Sequence, residues 1–183
     1  MSYRLRKFFV IVFFCGFFSV AAESVEEGQE KLSAMNNDRL DTIIRRLDDK
    51  AEGRKGYWQF KIGTLVVTVI TDENADRMRI IIPVIETEKL DKEYLYRIMQ
   101  ANFDSTLDAR YAIAKNILWS AYLHPLSSLN DDEFITAVGQ SINLVSTFGT
   151  SYSSGLLNFR GGDSKAIQEK QLIQELLDKG RAI

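Results

Sequence analysis

One histidine and one cysteine are all that this 183-residue chain offers to imidazole or thiol chemistry and to metal ligation by those groups. Any Ser–His pair or metal–histidine site must therefore pass through His124, which stands between Leu123 and Pro125 at a predicted strand end. That position suits a turn histidine with a satisfied hydrogen bond. Cys15 lies inside an N-terminal apolar run, so a chain that sheds the run has no disulfide, thiolate chemistry or thiolate metal site. Phe14 before it is too bulky for a lipidation signal, which wants a small residue there. Positive charge is scarce as well. The formal net charge is −2, and beyond the cations of the first 22 residues the chain holds 20 basic against 25 acidic residues. Such a balance excludes a nucleic-acid partner held by phosphate neutralisation.

What is present begins with an address. Arg4, Arg6 and Lys7 precede an apolar run from Phe8 to Val20, and Ala21 and Ala22 stand ahead of Glu23. Basic, apolar and small residues in that order form a secretory signal peptide, with cleavage after Ala22. The run is shorter than the roughly 20 residues a spanning helix needs. A periplasmic or secreted protein, with no membrane contact after cleavage, is the expectation. Residues 23–36 form a polar, acidic leader.

The domain expected over 37–149 is α+β, with an antiparallel sheet of about five strands and helices packed on it. Apolar residues, 45% of the chain, suffice for its core. Leu40, Ile43, Ile44 and Leu47 repeat as one helical face, capped by Asn36 or Asn37 and stopped by the stretch from Gly53 to Gly56. Trp58, Phe60 and Ile62 alternate as a half-buried strand, and Gly63-Thr64 suits a type II′ turn. Leu65 to Ile70 reads as a central strand. Met78, Ile80, Ile82 and Val84 share one face of the next, whose Pro83 implies an edge or a bulge. Leu90, Tyr94, Leu95, Ile98 and Met99 form the expected buried stripe of a second helix, closed by Asn102. Strands 110–114 and 117–123 then turn through Lys115-Asn116. Asn130 and Glu133 spell a capping box, flanked by Leu129 and Phe134 as a staple, and Gly149 ends that helix. The order is α-β-β-β-α-β-β-α. A Ser/Gly linker over 150–163 and a C-terminal helix from 164 complete it, the helix being stable only when docked.

Three stretches of that domain carry a resemblance. DRMRIIIPV (76–84), QANFDSTLDARYAI (100–113) and ILWSAYLHPLSSLNDDEFITAVGQ (117–140) resemble the bacterial YbjN-like proteins, which are similar in fold to the type III secretion chaperones. The likeness spans Leu40 to Phe148. It implies a small, acidic, often dimeric protein that holds an extended client along apolar patches, or a regulatory or stress-related role. The secretion chaperones work in the cytoplasm, and the signal peptide departs from that.

The catalytic motifs are fragments. Gly149-Thr150-Ser151-Tyr152-Ser153 lacks the second glycine of a nucleophile elbow and follows a helix end. Asp72, Asn74 and Asp76 open like a calcium loop, but Arg77 replaces its glycine and Pro83 its glutamate. Asp131, Asp132 and Glu133 complement a helix dipole rather than a metal. Gly161-Gly162 ahead of Asp163 is a poor anion loop. No enzyme, metal or cofactor is expected.

The remaining candidate is surface. A sheet face opposite the helices would carry Gln59, Lys61, Arg79, Ile81, Arg110, Ala112, Ser120 and Tyr122, with Trp58 and Trp119 in the core. The partner-binding candidates are Arg79, Ile81, Arg110, Ala112 and Tyr122, a contact-patch composition. The expected function is an exported, chaperone-like or regulatory module engaging a peptide or partner protein by a sheet face or edge. A structural envelope homodimer and a hydrolase using His124 are the alternatives.

Overall fold

The computed structural model describes residues 34–154 and 164–181. The signal stretch 1–22 with Cys15, most of the polar leader, and residues 155–163 lie outside the described residues.

The first helix, α1 (Asn37–Leu47), starts on Asn36, whose side chain accepts from the Arg39 amide. Its stripe Leu40, Ile43, Ile44 and Leu47 is buried throughout. It ends sooner than Gly53, at Asp48. Residues 52–54 instead form a short strand, β1 (Glu52–Arg54), that the sequence reading missed. Three residues of Glu-Gly-Arg carry no alternation to see. Gly53 is obligatory there: at φ 130° any Cβ would collide with the Tyr57 carbonyl.

Five longer elements follow: β2 (Tyr57–Ile62), β3 (Leu65–Asp72), β4 (Arg77–Glu86), α2 (Lys92–Asp104) and β5 (Arg110–Ala114). Then come β6 (Ile117–His124), α3 (Asp131–Ser146) and α4 (Ser164–Gly180). All six strands pair antiparallel in the order β1-β2-β3-β4-β6-β5. Turn chemistry sets the register. Gly63 alone takes positive φ in the β2–β3 turn, as a II′ turn requires, and Lys115 and Asn116 both do in the β5–β6 turn, as type I′ requires. Pro83 sits beside a register shift between Pro83 and Ile85. The bulge was foreseen, but the strand is interior rather than an edge.

The core lies between the sheet and helices α1 and α3. Trp58, Phe60, Val67, Val69, Met78, Ile80 and Leu118 point into it from the sheet. The buried Trp58 indole donates to Asp41 Oδ1 at 2.8 Å. Arg45 binds the same carboxylate at 2.8 Å and, foremost, holds it below the usual carboxylate range. Helix α3 has its capping box in place: Asn130 accepts from the Glu133 amide, and Glu133 accepts from the Asn130 amide, both at 2.9 Å. Phe134, Val138, Ile142 and seven more of its residues are buried. Its cap is Thr147, with Gly149 two residues beyond at φ 78°.

Two expectations change at the periphery. Helix α2 buries only Ile98 and Ala101, whereas Tyr94, Leu95 and Met99 remain exposed. It meets the sheet chiefly at β5, so its stripe has too little opposite it. Asn102 does not close the helix, which runs on to Asp104. The stretch expected as a Ser/Gly linker begins as packed structure. Tyr152, Ser153 and Ser154 are buried, and Ser154 Oγ accepts from the Leu107 amide at 2.5 Å. Helix α4 docks on α1 and α3 of its own chain. Leu176 is buried, Gly180 leaves no room for a Cβ against Ile135, and Arg181 forks onto Asp132 at 2.9 and 2.7 Å.

Candidate protein-binding face

Because side chains alternate across a strand, every residue paired across the sheet shares a side with its partner. The side that α1 and α3 leave bare is therefore fixed by the register. One row runs Gln59, Thr68, Ile81, Ala121, Arg110. The next runs Tyr57, Ile70, Arg79, Leu123. A third joins Pro83, Trp119 and Ala112. Arg79, Ile81, Arg110 and Ala112, all named from the sequence, lie together here, as do Gln59 and Lys61.

Tyr122 and Ser120 do not. Tyr122 pairs with Ile80 and Ser120 with Ile82 and Tyr111, so both face the helices, and Tyr122 is 6% exposed. Burial pushes its phenol up to about 12. Trp119 makes the opposite exchange and lies on the bare side, its indole donating to the Ala114 carbonyl at 2.9 Å. Leu123 joins it there at 61% exposure. The residues 117–123 are apolar on both faces, so the pattern cannot fix which parity points inward. Register across β4 supplies the missing sign.

The face is apolar with cations set into it. Tyr57, Val66 and Leu123 are exposed, and Ile70, Ile81 and Trp119 are half-buried. Arg54, Lys61, Arg77, Arg79 and Arg110 stand on this side against Glu52, Asp72 and Glu86, by register. Glu86 is already paired to Lys89 at 3.0 Å. A chain of net charge −2 thus turns a net-positive face outward. Arg110 Nη1 donates to Thr106 Oγ1 at 2.8 Å, which orients its guanidinium.

Both sheet edges are blunted. On β5, Asn102 of α2 takes both backbone groups that Tyr111 turns outward: its Oδ1 accepts from the Tyr111 amide at 2.8 Å, and its Nδ2 donates to the Tyr111 carbonyl at 3.0 Å. A side-chain amide thus occupies the place of a pairing strand. On the other edge, β1 is three residues long with its glycine bend. The bare face, not the edges, is open.

The other candidate chemistry is employed structurally. His124 Nδ1 lies 2.7 Å from the Pro125 carbonyl and its ring stacks on Tyr122 at 6.1 Å. Among the described residues no carboxylate or serine hydroxyl hydrogen-bonds to it. Asp131 pairs with Arg39 at 2.6 Å, Asp132 with Arg181, and Glu133 closes the cap. Asp76 accepts from the Ser127 amide at 2.7 Å and the Ser127 hydroxyl at 2.9 Å, tying the β3–β4 turn to the loop before α3. Ser153 is buried with its amide on Thr147 Oγ1 at 2.9 Å. A second apolar surface went unread in the sequence. Tyr96, Met99 and Phe103, at i, i+3 and i+7 of α2, are exposed, Phe103 by 91%. The i, i+3 spacing was there to find.

No family model and no curated relative matches the sequence. Solved structures that resemble the chain include a type III secretion chaperone and a chaperone–effector complex. The Yersinia pestis chaperone SycH, in complex with a fragment of YscM2, is similar at TM-score 0.49 and 17% identity over 62% of this chain and 98% of that one. The ExsC–ExsE complex is similar at 0.48 and 8%, covering 62% and 97%. The HopA1–SchA chaperone–effector complex follows at 0.46 and 11%, covering 61% and 94%. At such identities these are distant likenesses.

Proposed function

We propose that this protein is an exported, non-enzymatic binding module of the YbjN-like group, which engages a partner protein through its bare sheet face. One observation carries the reading: exposed Tyr57 and Leu123 and half-buried Ile81 and Trp119 lie among arginines on one face, while both edges of that sheet are blunted. A fixed tryptophan beside arginines is the composition of a binding hot spot. Apolar surface left in water is a cost that a partner relieves. Export rests on the N-terminal order of basic, apolar and small residues.

The test is affinity capture from envelope extracts with wild type and with the Arg79→Ala/Arg110→Ala and Trp119→Ser variants. Loss of the captured protein is expected from both variants, at an unchanged thermal transition for the arginine pair, since exposed cations contribute only about 0–1 kcal/mol to the fold, and at a lowered one for the half-buried Trp119. Equal capture by all three would rule the face out. N-terminal sequencing of the exported protein should start at Glu23.

A second reading, self-association, is favoured by the exposed Tyr96, Met99 and Phe103 stripe of α2.

A further inference from the structure

The bare face is not uniform. Where β3 and β6 end and β4 begins, a cleft of about 490 Å³ brings together Ile70, Asp72, Arg77, Arg79 and Leu123 of the bare side and His124 of the helix side. Arg77 and Arg79 leave the same side of β4, their Cα atoms about 7 Å apart. Neither forms an ion pair with a described residue. The acids nearest in sequence make their hydrogen bonds to other groups. Asp72, directly opposite Arg77, accepts from the Ala75 amide at 3.0 Å to shape the turn, and Asp76 is bound to Ser127. Arg79 is bracketed in register by Ile70 on one neighbour and Leu123 on the other. The cleft therefore sets two guanidinium groups against one carboxylate, that of Asp72, between apolar walls, and its lining is net positive.

We infer, resting on the sheet-face reading, that this cleft receives an acidic segment of the partner protein, with a carboxylate on Arg77 and Arg79 and its apolar neighbours on Leu123 and Ile70. A guanidinium fork matches the two oxygens of a carboxylate, and partial desolvation between aliphatic walls strengthens the bond. An extended segment repeats its side chains every ~7 Å on one side, which matches the step from Arg77 to Arg79. The charge of the whole chain makes this selective. On a net-negative chain one net-positive face draws acidic segments preferentially, so the cleft also fixes where and how the partner lands.

The experiment is fluorescence anisotropy on the full chain with three labelled octapeptides in which leucine and valine alternate with glutamate, glutamine or lysine. The glutamate peptide should bind tightest, by about tenfold or more over the glutamine peptide, and lose that margin in high salt. Arg77→Gln/Arg79→Gln should abolish the margin with the thermal transition unchanged, while Arg54→Gln on the same face should leave it intact. Equal affinity for glutamate and glutamine peptides would overturn the acidic class. The sheet-face reading would survive that result if Trp119→Ser still lost the captured partner, and both would fall if capture were also unaffected. Phosphatidylglycerol vesicles that bind more tightly than the glutamate peptide, through the same two arginines, would make a lipid surface the occupant and overturn the proposal.

Discussion

Helices α3 and α2 are both amphipathic, and they meet opposite fates. In α3, Phe134 is 0% exposed and ten residues are buried, because the sheet lies on one side and α4 on the other. In α2, only Ile98 and Ala101 are buried, and Phe103 stands 91% in water. Periodicity tells that a helix has an apolar stripe. It does not tell what covers the stripe, and the cover decides whether the stripe stabilises the fold or is left for a partner. The two sides of the sheet repeat the lesson, one sealed by helices and the other bare.

The comparison breaks most easily at Phe134. Phe134→Ala should cost about 3–5 kcal/mol by denaturant unfolding, from lost burial plus the cavity left behind. A cost below about 1 kcal/mol would mean α3 is no more central than α2. The cover over α3 is tested next. Leu176→Ala on α4 should cost about 2 kcal/mol, the low end for a buried leucine. A chain stopped after Ser154 should still unfold cooperatively at a lower midpoint, since the sheet, α1, α2 and α3 remain. Loss of its thermal transition would place α4 inside the folding unit. At the start of α3, Asn130→Ala should cost about 1 kcal/mol by removing the cap.

Smaller again is the contribution of Asp76. Ser127, whose amide donates to it, holds this carboxylate below its ordinary value. A depressed value in the fold means that the stabilisation is complete above the unfolded carboxyl pKa of about 3.9 and fades as pH falls through the folded one. The gap in thermal midpoint between wild type and Asp76→Asn should therefore be constant from neutral pH down to about 4 and close below it. A gap that widens in acid would contradict the geometry.

Local signals in the sequence survived where local chemistry decides the outcome. The α1 stripe, the Asn130–Glu133 box, the Lys115-Asn116 turn and the buried Trp58 were all readable, because caps and turns act over a few residues. The bare face was half readable. Arg79, Ile81, Arg110 and Ala112 follow from alternation within short strands of clear pattern. Tyr122 and Trp119 exchanged sides because β6 is apolar on both faces, so only its pairing with β4 assigns the parity. β1 escaped because three residues have no period. The cleft at Arg77 and Arg79 needed the pairing as well, since Leu123 comes to it from a strand more than forty positions away.

The smallest effect is expected where the comparison began, on the bare helix. Phe103→Ser removes a ring that touches little, so at dilute protein concentration its stability should match wild type within about 0.5 kcal/mol. The same variant separates the meanings of the stripe. If α2 pairs two copies of the chain, the wild-type midpoint rises with protein concentration by mass action and that of Phe103→Ser does not. If neither midpoint depends on concentration, the stripe does not serve self-association, and the sheet face remains the one surface with a proposed partner. A large loss that is the same at every concentration would mean that the ring is packed within its own chain. The contrast between α2 and α3 would then be wrong. Analytical ultracentrifugation across the same concentrations checks the mass-action arm independently of unfolding, because Phe103→Ser should sediment as a monomer wherever wild type does not.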